Sequence, residues 1–280
     1  MAIRYLEKFE NAAASISYVF PLGMYEWQSQ GGMRVPLVPA IGMDYAFDML
    51  GIAQAIMEPV QETVRGVLRE SSLANAEAEI DEMRSELIRA GRGKLFTLSS
   101  DGSRRWAWAR LAAMPEISIS HRLGHIGSGH PFILQFTRLS EWFGSSLTSD
   151  TETITTSPTT YTVNNSGNLP ARLLKIRLRA NTSAGITNPK VTNMTNGYVF
   201  ETARDSASVD SEIRLDTERG VVEFSTDNGA NYTDDFAQLV IPTTQVVLAF
   251  QLEPGDNSIK YEGGGTVNVD VVFEFYPHWA

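Results

Sequence analysis

Residues 215–263 constrain what this chain can fold into more than any other stretch. The segment begins Leu-Asp-Thr-Glu-Arg-Gly-Val-Val-Glu-Phe, continues through Asp-Asn-Gly, and reaches Phe-Gln-Leu-Glu-Pro-Gly-Asp-Asn-Ser-Ile-Lys-Tyr. Short alternating runs are broken at close intervals by residues that favour turns. Asp227, Asn228 and Gly229 mark a hairpin, and Pro254-Gly255-Asp256-Asn257 marks a second tight turn. Helices do not tolerate such punctuation. A β-sandwich requires it.

The same grammar fills the second half of the 280 residues. Strands are predicted at 160–163, 171–180, 190–193, 198–203, 212–216, 221–225, 246–251, 258–261 and 266–276. Asn164-Asn165-Ser166-Gly167-Asn168 is a turn cluster between the first two. Residues 145–160 are dominated by Ser and Thr and read as a linker running into the first strand. The division 1–147 and 148–280 follows, with a core in each half.

The first half mixes periods. Residues 1–70 carry strand-like pieces punctuated by Gly and Pro. One helix is clear over 72–90, where Ala76, Ile80, Met83, Leu87 and Ile88 recur at helical spacing. Ser71 or Ser72 suits its start, Arg89 its last turn, and Gly91 and Gly93 its end. From Lys94 the period becomes two. Residues 104–111 place Trp106, Trp108 and Arg110 on one face and Arg105, Ala107, Ala109 and Leu111 on the other. Further strands are predicted at 116–123 and 131–138. The fold class is therefore mainly β: a barrel-like domain with one helix, then a sandwich.

Charge and composition narrow the function. The formal charge is −10, and residues 149–280 hold 9 basic against 17 acidic side chains. That balance argues against nucleic-acid binding, which depends on neutralising phosphates. There is no Cys, so disulfides, thiolate metal sites and Cys nucleophiles are excluded. The start lacks the apolar run of a secretory signal, and no apolar run is long enough to span a bilayer. Synthesis in the cytoplasm without membrane insertion is expected.

The candidate chemistry is sparse. His121, His125 and His130 cluster, but no carboxylate beside them has ligand spacing. Asp227, Asn228, Asn231, Asp234 and Asp235 resemble a calcium loop without the closing Glu of an EF-hand. Gly263-Gly264-Gly265 lies between strands, so it lacks the helix of a phosphate cradle. No nucleophile elbow, P-loop, zinc-protease or dinucleotide motif occurs. The expectation is no catalytic residue, no metal and no cofactor. Trp106, Trp108 and Arg110 form the candidate subunit interface. Tyr198, Tyr232 and Trp279 are the alternative, as a sugar-binding groove.

Several turn motifs occur in a telling order. They are Asn165-Ser166-Gly167-Asn168-Leu169-Pro170-Ala171 before residues 176–178, Asn188-Pro189-Lys190-Val191-Thr192-Asn193, Ile213-Arg214-Leu215-Asp216-Thr217-Glu218-Arg219, and Leu252-Glu253-Pro254-Gly255-Asp256-Asn257. With them the second half resembles the galectin-like domain of distal tail proteins of long-tailed (siphovirus-like) phages. Gly91-Arg92-Gly93, Phe136-Thr137-Arg138 and Glu141-Trp142-Phe143-Gly144 make the first half similar to the belt domain of that family. The resemblance implies a hexameric belt ring with the C-terminal domains projecting outward, and no catalytic residues. It implies a virion tail tip as the location, after assembly in the host cytoplasm. Its implied partners are copies of itself, the tail tube protein, the tail tip hub protein, and side fibres or receptor-binding proteins. Two other readings stay open at this level: a carbohydrate-binding module on a scaffold domain, and a glycan hydrolase.

Overall fold

The computed structural model describes residues 4–11, 13–15, 17–20, 25–30, 33–34, 37–39, 46–48, 56–57, 60–68, 73–113, 116–117, 130–183, 185–206, 208–241 and 250–279. The chain is mainly β and divides into two compact units, Met1–Trp142 and Phe143–Ala280. Among the described residues no helix is long and apolar enough to cross a membrane.

In the first unit the main sheet is built from β1 (Arg4–Asn11), β2 (Ser17–Val19), β3 (Tyr25–Gln30) and β4 (Val60–Leu68). After α1 (Leu73–Ala90) come β5 (Arg92–Ser99), β6 (Arg104–Leu111) and β7 (His130–Arg138). The strands lie in the order β2-β1-β5-β6-β7-β4-β3, all antiparallel. Alternation decides what each contributes. In β5, Gly93, Leu95, Thr97 and Ser99 are buried while Lys94, Phe96 and Leu98 are half-buried on the other face. Gly93 is required by close approach, because a Cβ there would sit 2.2 Å from the Glu10 carbonyl oxygen. The core centres on Phe136, with ring centroids 5.0 Å from Phe9 and 6.0 Å from Phe20.

The helix runs as its periodicity demands and packs against β1, β2 and β6. Ile80, Met83, Leu87 and Ala90 are buried. Ile88 is not: it is 49% exposed, because it lies one residue past the buried stripe. Leu87→Ala is expected to cost about 2–5 kcal/mol through lost transfer energy and the cavity left behind. Ile88→Ser should stay within about 0.5 kcal/mol, as surface changes do. Urea denaturation of both variants checks this, and equal losses would refute the packing assignment.

The second unit is a sandwich. Its strands are β8 (Thr148–Ile154), β9 (Thr159–Asn165), β10 (Leu174–Ala180), β11 (Lys190–Asn193), β12 (Val199–Thr202), β13 (Glu212–Asp216), β14 (Val221–Ser225), β15 (Thr233–Asp234), β16 (Leu239–Val240), β17 (Gly255–Glu262) and β18 (Val269–Phe275). One sheet has the order β8-β18-β10-β13-β14-β15, the other β9-β17-β11-β12-β16. Inward residues of both sheets, including Ile176, Leu178, Val271 and Phe273 with Val163, Val191, Ile259 and Tyr261, form one cluster. The Ser/Thr-rich segment is not a free linker. Residues 148–154 pair with β18 along their whole length. In the predicted strand at 246–251, residues 246–249 lie outside the described residues, and Phe250 and Gln251 are not in a strand. Within 116–123, Glu116–Ile117 is a strand and 118–123 lie outside.

Buried amides close one end of the sandwich. Asn193 Nδ2 donates to the Gln251 carbonyl at 2.9 Å and to Asn257 Oδ1 at 3.0 Å. Asn257 Oδ1 accepts from the Glu253 amide, while its Nδ2 donates to the Glu253 carbonyl. Two of the motifs named above as turns thus meet through their asparagines, and the fully buried Asn193 and Asn257 side chains are both satisfied.

Candidate interaction surfaces

Antiparallel register dictates the aromatic face of the first unit. Between β5 and β6, Trp106 pairs with Phe96, Trp108 with Lys94, and Arg110 with Arg92. Directly opposed side chains share a face. Trp106, Trp108 and Arg110 therefore lie together, on the side of the sheet away from Leu95 and Ala107. The Trp rings meet edge to face at 5.5 Å. The Lys94 ammonium lies 4.6 Å from the Trp106 ring centroid and 5.7 Å from that of Trp108, and the Arg92 guanidinium lies 4.4 Å from that of Trp108. Trp106 is only 8% exposed, Trp108 is half-buried and Arg110 is exposed. The sequence showed the tryptophans. It did not show that Arg92 and Lys94 stack on them, although the Asp101-Gly102 turn that joins β5 to β6 fixes that register.

The other sequence candidates resolve differently. His121 and His125 lie outside the described residues. His130 begins β7, with its backbone paired to Leu68. Among the described residues, no group of three or more His, Asp or Glu is arranged to hold a metal ion. The loop at Asp227 is a self-contained turn. Its carboxylate accepts from the Ser225 hydroxyl, the Asn231 amide at 2.8 Å and Asn231 Nδ2. These bonds hold the Asp227 carboxyl down at about 2. Asn228 and Gly229, at φ of 57° and 79°, make the turn itself. Gly263 donates its amide to the Ser157 hydroxyl at 2.9 Å, as a strand connection.

Tyr198, Tyr232 and Trp279 are placed on different features. Tyr198 packs against the sandwich core. Trp279 sits half-buried in the short strand His278–Trp279. Tyr232 donates to Glu212, and the Arg214 guanidinium lies 3.7 Å from its ring centroid. Burial and the Glu212 bond push the Tyr232 hydroxyl up to about 12.

Tyr232 belongs to a charge lattice on the outer face of the β10-containing sheet, which sequence reading did not anticipate. Arg177 bonds Glu274 at 2.6 Å, Arg179 bonds Glu212 at 2.8 Å, and Arg214 bonds Glu223 through Nε at 2.9 Å. Arg219 reaches the same Glu223 at 3.2 Å. Arg177 and Arg214 face one another directly, and each is paired sideways with a carboxylate, Glu274 and Glu223, so these carboxylates are neutralised by their neighbours. The signal was present in the spacing of Lys175, Arg177 and Arg179 in β10 and of Glu212, Arg214 and Asp216 in β13, where every second residue is charged.

No protein-family model and no curated protein sequence matches the chain. Solved structures do. The Dit (gp 19.1) protein of phage SPP1, described as a paradigm of the hub adsorption apparatus in phages infecting Gram-positive hosts, is 14% identical. The likeness covers 97% of this chain and 98% of that one, with a TM-score of 0.61. A chain of the phage p2 baseplate, in its activated conformation with strontium, is 10% identical over 98% of both chains, at a TM-score of 0.41. The SPP1 likeness spans both units, and this chain has the fold of that protein. The resemblance to distal tail proteins that the turn motifs carry is borne out at the level of fold.

Proposed function

We propose that this protein is a non-enzymatic structural component of a phage tail tip, where it forms a ring that joins the tail tube to the adsorption apparatus. The observation that carries the reading is a fold shared with the SPP1 hub protein over nearly the whole of both chains. An isolated sandwich would match that protein in one half only. The surfaces support the same role. The charge lattice of the sandwich is internally neutralised, as suits a domain facing solvent. The first unit presents aromatic and cationic side chains on a sheet face, as suits contact with protein.

In this reading the first unit closes the ring, six copies being the number implied by the family resemblance. The sandwich sits at the periphery. The partners are the tail tube protein, the tip hub protein, and fibres or receptor-binding proteins, and the location is the tail end of the virion. The carbohydrate-module and hydrolase readings gain no support from the separate placement of Tyr198, Tyr232 and Trp279. The test is electron microscopy of particles carrying a tag on the second unit. Label at the tail end is the expected result, and label elsewhere on the particle refutes the assignment.

A further inference from the structure

Two groups in the first unit carry mostly one sign of charge, and among the described residues they form no ion pairs, although Glu10 stands opposite Lys94. On the outer face of β5 and β6, Arg92 and Arg110 stand directly opposite one another, with Lys94 beside them. Arg92 and Lys94 stack on aromatic rings, and among the described residues neither they nor Arg110 make an ion pair. Like charges directly opposed across strands destabilise a sheet. On α1 the exposed acids are Glu77, Asp81 and Glu82, none of them in an ion pair among the described residues. Glu77 and Asp81 are four residues apart, and so are Glu82 and the half-buried Glu86, a spacing at which like charges repel.

The two groups lie on opposite sides of one sheet. Tyr18 pairs with Phe9 and Phe9 with Leu95, so these side chains share a face. Glu79, Glu82 and Glu86 of α1 lie close enough to Tyr18 to raise its hydroxyl pKa, after the larger effect of burial. The helix therefore covers the Phe9–Leu95 side. Arg92, Lys94, Trp108 and Arg110 project from the other. Neither group can neutralise the other within one copy.

We infer that the cationic face around Trp108 of one copy docks on the acidic face of α1 in the next, so that the ring closes head to tail. The inference rests on the ring proposed above and assigns the two surfaces that meet. Complementary patches on opposite sides of one domain are what a heterologous, ring-closing contact requires. The aromatic rings give the contact an apolar centre, and the charges set its register and partner. A nucleic acid is the other polyanion that such a face attracts, but the chain's charge of −10 repels one.

The test uses the full chain and reads mass in solution by sedimentation at low and high salt. One variant carries Arg92→Glu with Arg110→Glu. A second carries Asp81→Lys with Glu82→Lys. Each alone is left with two faces of the same sign and should assemble at least about tenfold more weakly than the unmodified chain. Mixed in equal amounts, the two should recover assembly, because each altered face now meets its complement. High salt should weaken the unmodified assembly. All four positions are exposed, and circular dichroism melting confirms that the variants fold. Unchanged assembly of either variant overturns the pairing, and so does a mixture that fails to recover. In both cases the ring itself stands. An unmodified chain that is monomeric at every concentration and salt level removes the ring, and this pairing with it.

Discussion

Replacing Arg138 with Ala is expected to destabilise the first unit by about 3–5 kcal/mol, the cost of breaking a buried ion pair. Arg138 is 5% exposed and Glu62 is fully buried, with Nε to Oε1 at 2.8 Å. The guanidinium also donates through Nη1 to the Ser140 carbonyl at 2.8 Å and lies 5.1 Å from the Trp142 ring centroid. Removing it takes the cation away from a carboxylate that is fully buried in the sheet. The double replacement Glu62→Leu with Arg138→Met removes both charges and keeps the volume. It should fall within about 1.5 kcal/mol of the unmodified chain, because a buried pair gains little over an apolar substitute. Urea denaturation of the two variants measures this. If Arg138→Ala lost less than about 1 kcal/mol, or the double variant lost as much as the single one, the pair would not be the buried unit described.

Arg138 also marks a limit of the sequence. Phe132, Leu134, Phe136 and Arg138 have one parity in β7, and all four are buried. Parity put Arg138 inside. What it could not supply was Glu62, the partner that makes the burial tolerable, on a strand far upstream. Elements whose pattern is local were legible: α1 from its apolar stripe, β6 from alternation, and the β14–β15 hairpin from Asn228-Gly229. Those that break period were not. In β1 the register slips between Leu6 and Lys8, so Leu6 and Phe9 both point inward at odd spacing. Strand β8 is an edge strand in which only Ile154 is buried, so it offers no apolar alternation to detect. The candidate interface was half legible. The tryptophans stood out as residue types, while their cations depended on pairing between strands.

Phe136→Ala and Phe273→Ala are each expected to cost about 3–5 kcal/mol, in separate places. Phe136 holds the first core together through Phe9 and Phe20. Phe273 is fully buried on β18, between β8 and β10, with Phe250 at 5.9 Å. The two residues serve different cores, since among the described residues the Phe273 cluster draws none from the first unit. Calorimetry of the full chain should therefore resolve two transitions. Phe136→Ala should lower one by about 10 °C or more, and Phe273→Ala the other by a similar amount. The double variant should show both shifts with little coupling, because substitutions with no shared partners add. Two transitions that move separately would establish that the first unit and the sandwich fold as independent domains, as the proposed arrangement requires. A single transition lowered by either substitution would make the chain one cooperative body. The sandwich could not then be a separable peripheral domain, and proteolysis at 143–147, just before β8, would release no folded fragment.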